Sequence, residues 1–315
     1  MMSMKMAKLS FAMIVVAACF PVQSSSAGNF AYLSATGSGS ACTAASPCGN
    51  FIDAFASVLS GGRILCLDAV AVSQSLTLSP PGSVTFDIDC PAGSWAGDGS
   101  LSPILTVDAN LTLTFRNMTF DGVGSANNAI RVIAAGSGTL IFENCVFANS
   151  LRSALDIQTG GALNLVIKDS RISNNGTPAV LLKPAAGGSI KATLDRVTIT
   201  SNNGDGIQAD STLGVIDLDV TDSEITNNAG NGIVAIAGGS TQDIVSVKSG
   251  VMVRNGLAGI EVDGVAAGVL VANTLFDQNT AGATSVVSGG NIFTFGNNQI
   301  VGSMGSGFTG TWPLR

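Results

Sequence analysis

Leu113–Phe120 reads LTFRNMTF, and the same phrase returns as LIFENCVF over Leu140–Phe147, LVIKDSRI over Leu165–Ile172, ATLDRVTI over Ala192–Ile199 and LDVTDSEI over Leu218–Ile225. Weaker copies stand at Val245–Met252, Val269–Phe276 and Phe293–Ile300, so successive starts are 24 to 27 residues apart. One structural unit therefore recurs along most of the chain, which is the mark of a solenoid. The third residue of the phrase is apolar in every copy: Phe115, Phe142, Ile167, Leu194, Val220, Val247, Val271 and Phe295. So is the eighth, from Phe120 through Ile300. The fourth is usually polar, which gives the period-two alternation of a strand with one buried face.

Eight residues beyond each phrase comes a second apolar pair, two apart: Leu155/Ile157, Val180/Leu182, Ile207/Ala209, Ile233/Ala235 and Ile260/Val262. Turn formers such as Asn202-Asn203-Gly204-Asp205-Gly206 separate the strands. Several short strands per unit leave no room for a helix of ten residues, which excludes leucine-rich and βαβ solenoids. The expected architecture is all-β: a single-stranded parallel β-helix with about 25 residues per coil and nine to ten coils over residues 63–301. Two side-chain rows support the register. Asn175, Asn202, Asn228, Asn255 and Asn279 stand three residues past the phrase, where stacked amides can bond one another at one corner. At the fourth position Arg116, Glu143, Lys168 and Asp195 alternate in sign, as facing charges on neighbouring strands should.

Composition bounds the chemistry. The 315 residues include 39 glycines, 5% aromatic and 11% charged residues, which suits a one-core solenoid with frequent tight turns. The formal charge of −7 makes nucleic acid an unsuitable partner. With no histidine in the chain, histidine-activated nucleophiles and histidine metal sites are excluded.

In chain order, Met1–Lys8 carries two lysines, Leu9–Phe20 is almost wholly apolar and Ser25-Ser26-Ala27 supplies small residues, which together read as a secretory signal peptide over 1–27. Its loss would take the charge from −7 to −9. Val16-Ala17-Ala18-Cys19 also resembles a lipoprotein signal with Cys19 lipidated, and simple cleavage near Ala27 is preferred because Phe20-Pro21 follows the cysteine. The expected location is extracellular or periplasmic, with no transmembrane segment.

Residues 28–62 read as an N-terminal cap. Cys42 and Cys48 are close in a polar loop and favour a disulfide. Phe51–Leu59 reads as a short amphipathic helix with Asn50 as N-cap and Gly61-Gly62 as its stop, placed to cover the open end of the core. Strands resume at Arg63–Leu67, Ser75–Leu78 and Val84–Cys90. Cys66 and Cys90 lie about one coil apart, and whether they pair depends on a facing that the sequence leaves open. Cys145 reads as a buried free thiol. Pro91–Pro103, with Trp95, reads as a loop bulging from one face, and 302–315 as a tail that is either a closing strand or a loose end.

Tyr32-Leu-Ser-Ala-Thr-Gly37, the Cys42–Cys48 loop, Phe51–Leu59, the Asn-Gly-Ile repeats and Phe295-Gly-Asn-Asn-Gln-Ile-Val301 together resemble secreted bacterial right-handed parallel β-helix proteins of the pectin-lyase-like superfamily. The resemblance implies a right-handed coil and covers nearly all of the chain after the leader. It does not carry an activity, because the enzymes' own patterns are missing. Polygalacturonases use three aspartates and a Gly-His-Gly segment, which a chain without histidine cannot supply. Pectate lyases hold calcium on several acidic residues and use an arginine base in a short stretch that has no counterpart here.

Asp217, Asp219, Asp222 and Glu224 alternate with apolar residues as one strand face does, and Asn203-Gly-Asp-Gly206 lacks the glycine doublet of a calcium-binding nonapeptide. No cofactor is expected, and no motif is present to hold calcium. The polar patch best placed for a ligand comes from the last strand of three consecutive coils: Asp156, Gln158, Lys183, Gln208 and Asp210, all expected to point outward. A lysine between carboxylates on a flat sheet can hydrogen-bond sugar hydroxyls. The same residues also read as a solvated face with a surface ion pair. The sequence therefore favours a secreted structural or glycan-binding module, with a possible partner in polysaccharide or cell-surface glycan. The second reading is a polysaccharide lyase or glycoside hydrolase acting on an acidic polysaccharide through an unrecognised carboxylate and lysine site.

Overall fold

The structure is a computed structural model that describes residues 28–133, 137–238 and 243–312; the expected signal peptide, Cys19 and the cleavage site lie outside them. The repeat folds as expected into a parallel β-solenoid of about nine turns, its strands gathered into a twenty-stranded bent sheet and a nine-stranded flat one. From Gly138 to Val287 each coil gives two strands to the large sheet and one to the small. Each strand pairs in parallel with its counterpart one coil away, so equivalent residues stack rather than alternate between partners.

The inward columns follow the alternation. Phe115, Phe142, Ile167, Leu194, Val220, Val247 and Val271 stack in unbroken register and are fully buried. The eighth positions form a second column from Phe120 to Ile300. Where both columns are aromatic the rings interlock: Phe115 stacks on Phe142 at 5.5 Å, Phe120 on Phe147 at 5.1 Å, and Phe142 meets Phe147 edge-on at 5.1 Å. Such offset and edge contacts add about 0.5–1.5 kcal/mol per pair beyond area burial.

Two corners repeat down the solenoid, each made by one residue in the left-handed region. The first is at Asn117, Asn144, Asp169, Arg196, Asp222, Ser249 and Asn273; the second at Asn149, Asn174, Ser201, Asn227, Arg254 and Gln278. Asn and Asp tolerate this backbone because their short polar side chains bond locally, whereas Arg, Ser and Gln hold it under strain. The residue after the second corner is the asparagine column. Asn175 Nδ2 donates to Asn202 Oδ1 (3.0 Å), Asn202 to Asn228 (2.8 Å), Asn228 to Asn255 (3.1 Å) and Asn255 to Asn279 (3.0 Å). Each Oδ1 also accepts the backbone N–H of the preceding coil's asparagine. All five side chains are buried, so the column satisfies backbone groups that no water can reach.

The charged row keeps its predicted register, with Arg116 beside Glu143, Glu143 beside Lys168 and Lys168 beside Asp195. Arg116 Nε lies 2.8 Å from Glu143 Oε2, and its Nη1 contacts Asp87. Burial works against the Arg116 cation, but Glu143 and Asp87 outweigh it and strengthen its hold on the proton.

The disulfide favoured by the sequence forms, and so does the pairing that the sequence leaves open. Cys42–Cys48 closes the N-terminal loop, and Cys66–Cys90 ties neighbouring rungs whose Cα atoms are 4.6 Å apart; Cys145 is free and buried, and burial pushes its thiol up to about 11.

Three sequence expectations need correction. The helix is Phe51–Ser57, with Asn50 accepting from Asp53 N–H; the chain turns extended at Val58, and Gly61-Gly62 already lie in the strand Val58–Cys66. Pro91–Ala96 is not loop but the second half of strand Val84–Ala96, entered through a bulge between Asp89 and Gly93, with Trp95 fully buried. In the last coil the core position is Thr294 rather than Phe295, because the corner Phe295–Asn298 takes one more residue than its predecessors. The end of the chain closes as a strand, Gly310–Thr311 pairing with Phe293–Thr294.

Candidate functional site

The patch is built on the small sheet. Leu155 and Ile157, Val180 and Leu182, and Ile207 and Ala209 all point into the core and are fully buried, which turns the residues between and after them outward. Asp156 pairs with Leu181 and Leu181 with Gln208; on the next outward row Gln158, Lys183 and Asp210 follow one another. The sequence-derived set is thus brought together across three adjacent coils.

Its two carboxylates are not free. Asp156 Oδ1 accepts from Gln158 Nε2 at 2.8 Å, and its Oδ2 lies 3.6 Å from Arg131 Nε. Asp210 Oδ2 lies 2.7 Å from Lys183 Nζ, while its Oδ1 accepts from Thr212 N–H at 3.1 Å and Thr212 Oγ1 at 2.6 Å. Asp156 is 8% exposed and Asp210 5%. Here the structure corrects the expectation of a fully solvated face: the carboxylates point outward but lie beneath the groups that pair with them. Burial alone would raise the Asp210 carboxyl, but Lys183 and Thr212 outweigh it and hold it below the usual carboxylate range. What remains open to solvent is cationic and amide: the side chain of Lys183 is 42% exposed and that of Arg131 43%. Among the described residues no protein group engages the amide of Gln208.

Arg131 was missing from the sequence-derived patch. Its signal was available, since Ile130 and Val132 form the same inward pair one coil before Leu155 and Ile157. One coil later, alternation with the inward pair Ile233/Ala235 would put Val234 and Ile236 outward beside the patch, yet neither is fully exposed. Val234 is buried between Gln208 and Glu261 rather than exposed, and Ile236 is half-buried between Asp210 and Asp263. Burial pushes the Glu261 carboxyl up; a Ser285 hydrogen bond opposes this, and the nearby charges of Asp205 and Asp263 reinforce it.

The other acidic candidates disperse. Asp217 faces Lys191 at 3.8 Å, Asp219 pairs with Thr193 and Glu224 with Thr198. Asp205 serves a corner, its Oδ1 accepting from Asn231 N–H at 2.6 Å. Among the described residues no group of three or more aspartate, glutamate or cysteine side chains is gathered closely enough to hold a metal ion. No helix among them is long and apolar enough to cross a membrane.

In comparisons with known proteins, the solved structure of pectate lyase Pel9A matches with a TM-score of 0.62 at 18% identity, over 84% of this chain and 74% of that one. The A-module of the Azotobacter vinelandii mannuronan C-5 epimerase AlgE6 aligns over 81% of this chain and 87% of that one at 15% identity, with a TM-score of 0.45 too low to carry an argument. No curated protein matches the chain. At this identity the pectate lyase likeness shows the fold alone, a parallel β-solenoid. The model of the right handed beta helix region matches residues 104–264, half of the chain, and the protein belongs to that family.

Proposed function

We propose that the protein is a β-helix module that holds polysaccharide or cell-surface glycan on the face carrying Arg131, Asp156, Gln158, Lys183, Gln208 and Asp210, without cleaving it. The observation that carries this reading is the state of the two carboxylates. Both are sequestered and held by neighbouring groups, Asp210 through both oxygens and Asp156 through a Gln158 hydrogen bond on one oxygen with the Arg131 cation 3.6 Å from the other. Glycoside cleavage instead needs one carboxyl able to give a proton and another free to act on the opposite side. Lys183, held against Asp210, offers a cation rather than a lone pair. The surface left over, two half-exposed cations and an unengaged amide across neighbouring rungs, suits hydroxyls and carboxylates presented by a repeating sugar chain. The fold shared with a pectate lyase supports polysaccharide as the ligand class, and the two disulfides support an oxidising location outside the cytoplasm.

The test is a panel of acidic and neutral polysaccharides offered to the protein and to an Arg131→Gln/Lys183→Gln variant, with circular dichroism to show that the variant folds. The expected result is binding by the parent and at least a roughly tenfold weaker affinity in the variant, about 1.4 kcal/mol. Equal binding would place the site elsewhere. Unsaturated products or new reducing ends from the parent would make the protein an enzyme.

A further inference from the structure

Asparagine followed by glycine occurs four times in the chain, at Asn175, Asn203, Asn231 and Asn255, each time in the turn that leads into a strand of the small sheet. The pair has a chemistry of its own. A glycine nitrogen, with no Cβ beside it and a freely rotating backbone, can attack the side-chain carbonyl of the asparagine before it. The fold decides whether that attack is open. It needs an asparagine side chain able to turn back on its own backbone and a glycine N–H not committed elsewhere.

Three of the four steps are locked on both counts. Asn175 and Asn255 belong to the buried column, where their Nδ2 groups donate to Asn202 and Asn279, each at 3.0 Å. Their Oδ1 atoms accept from the backbone N–H of Ser150 at 3.1 Å and of Asn228 at 3.2 Å. Asn231 is buried as well; its Oδ1 accepts from Ala258 N–H at 2.8 Å and its Nδ2 donates to Asp205 at 3.2 Å. The three glycines are engaged too. Gly176 N–H donates to Ser150 O at 2.9 Å, Gly232 N–H to Ala258 O at 2.9 Å and Gly256 N–H to Asn228 O at 2.8 Å.

Asn203–Gly204 is the exception. Asn203 stands one residue beyond the column and is exposed. Among the described residues no hydrogen bond engages its side chain, its carbonyl or the Gly204 N–H. The flanks are fixed, with Asn203 N–H on Asn175 O at 2.8 Å and Gly230 N–H on Gly204 O at 2.9 Å. The peptide between them can therefore turn, through opposite changes of ψ at Asn203 and φ at Gly204, while the coil stays in place. The turn also requires glycine here, since a Cβ at 204 would stand 2.8 Å from the backbone of Thr177. An unshielded nitrogen is thus built into this corner.

We propose that Asn203 is a site of spontaneous deamidation, the one Asn-Gly step of the four that the folded chain leaves reactive. Gly204 N forms a bond to Asn203 Cγ, the Cγ–Nδ2 bond breaks, and the amide leaves as ammonia with the proton from Gly204 N–H. Water then opens the cyclic imide at either of its carbonyls. The product is aspartate, or isoaspartate with one more methylene in the main chain. Either adds a negative charge two residues before Asp205, the corner residue whose Oδ1 holds Asn231 N–H. Isoaspartate also lengthens the main chain between the two hydrogen bonds that bracket the step.

The experiment is peptide mapping by mass spectrometry of the purified chain aged at mildly alkaline pH, folded and, in parallel, reduced and unfolded in guanidinium chloride. At each site the rate of amide loss in the folded chain is divided by the rate in the unfolded chain, which removes the influence of neighbouring sequence. The expected ratio is about one at Asn203 and at least about tenfold lower at Asn175, Asn231 and Asn255, which react only while their turns are open. An Asn203→Gln variant should melt at the parent's temperature and lack the acidic species that the ageing parent accumulates on ion exchange. Protection of Asn203 equal to that of the other three overturns the proposal. So does any of those three keeping pace with it, or an undiminished acidic species in the variant.

Discussion

Phe51 lies flat on Trp95, ring centroids 4.4 Å apart, so the only helix among the described residues is anchored on a side chain from the second pass of the following coil. Trp95 in turn sits above Phe120 at 6.1 Å, which links the cap to the top of the aromatic column. Trp95→Ala removes the floor beneath the helix and the head of that column together. It should lower the unfolding free energy by about 3–5 kcal/mol, as other buried aromatic truncations do. Denaturant titration checks this, and a loss below about 1 kcal/mol would mean that the helix does not rest on the core.

The asparagine column predicts a contrast between neighbours. Asn228→Ala leaves the backbone N–H of Asn202 and the amide of Asn202 without their shared acceptor in a buried corner. Each orphaned group costs about 1–3 kcal/mol. Asn203→Ala, at an exposed position one residue beyond the column, should stay within about 0.5 kcal/mol of the parent. Equal melting temperatures for the two would show that the column contributes nothing.

Inward and outward positions of one coil should also separate. Ile199→Asp places an unpaired charge in a fully buried column and should prevent folding, because desolvating that charge costs several kcal/mol. Asp195→Ala removes a partly exposed contact with Arg196 and should cost under about 1 kcal/mol. Soluble yield and thermal melts distinguish them.

The corners offer a gain rather than a loss. Arg254 holds a left-handed backbone, φ 55°, where five equivalent corners include three asparagines. Arg254→Asn gives that backbone a residue that adopts it more readily and should raise stability by about 0.5–1 kcal/mol, read as a higher melting temperature. A drop would mean that the Arg254–Gln278 contact at 3.1 Å outweighs backbone preference.

Two carboxyls should give opposite pH dependences. Burial opposes ionisation of Asp210, but Lys183 and Thr212 hold its folded value below the unfolded one, about 3.9. Its stabilisation is therefore fully present above about pH 4 and is lost as pH falls through the folded value. Asp210→Asn should be less stable than the parent at neutral pH, with the two curves converging in acid. For Glu261 burial raises the folded value, so its contribution falls as pH rises past about 4.3, and Glu261→Gln should stabilise at neutral pH. Melting temperatures measured against pH would refute this assignment if both variants tracked the parent in parallel.

Much of this was legible in the sequence because repetition gives many samples of one local rule. Phe142, Ile167, Leu194 and Val220 could be aligned before any coordinate, and the asparagine column follows from the same spacing. What escaped was what happens once. The bulge at Cys90–Ala92 shifts the pairing from Asp89↔Arg116 to Gly93↔Met118, and so it disguised a core tryptophan as part of a loop. One extra residue at the last corner moved Phe295 off its column. The burial of Asp156 and Asp210 was hidden for another reason. It depends on Arg131 and Lys183, each one coil before the carboxylate it pairs with, and alternation along a single strand cannot report a side chain folded over its neighbour.

The head-to-tail asparagines also set a rule for how such a chain can change length. Asn202 and Asn228 are 26 residues apart, and Thr198 and Glu224 occupy equivalent places in the coil. Excising residues 198–223 would bring Glu224 to the place of Thr198 and set Asn228 above Asn175, with every column intact and the solenoid one turn shorter. Loss of a single residue from a strand would displace one column against all the others, whereas the turns already absorb the difference between coils of 24 and 27 residues. Strands are thus confined to change by whole turns, and members of such a family should differ in reach by integral steps, with gradual drift left to the turns.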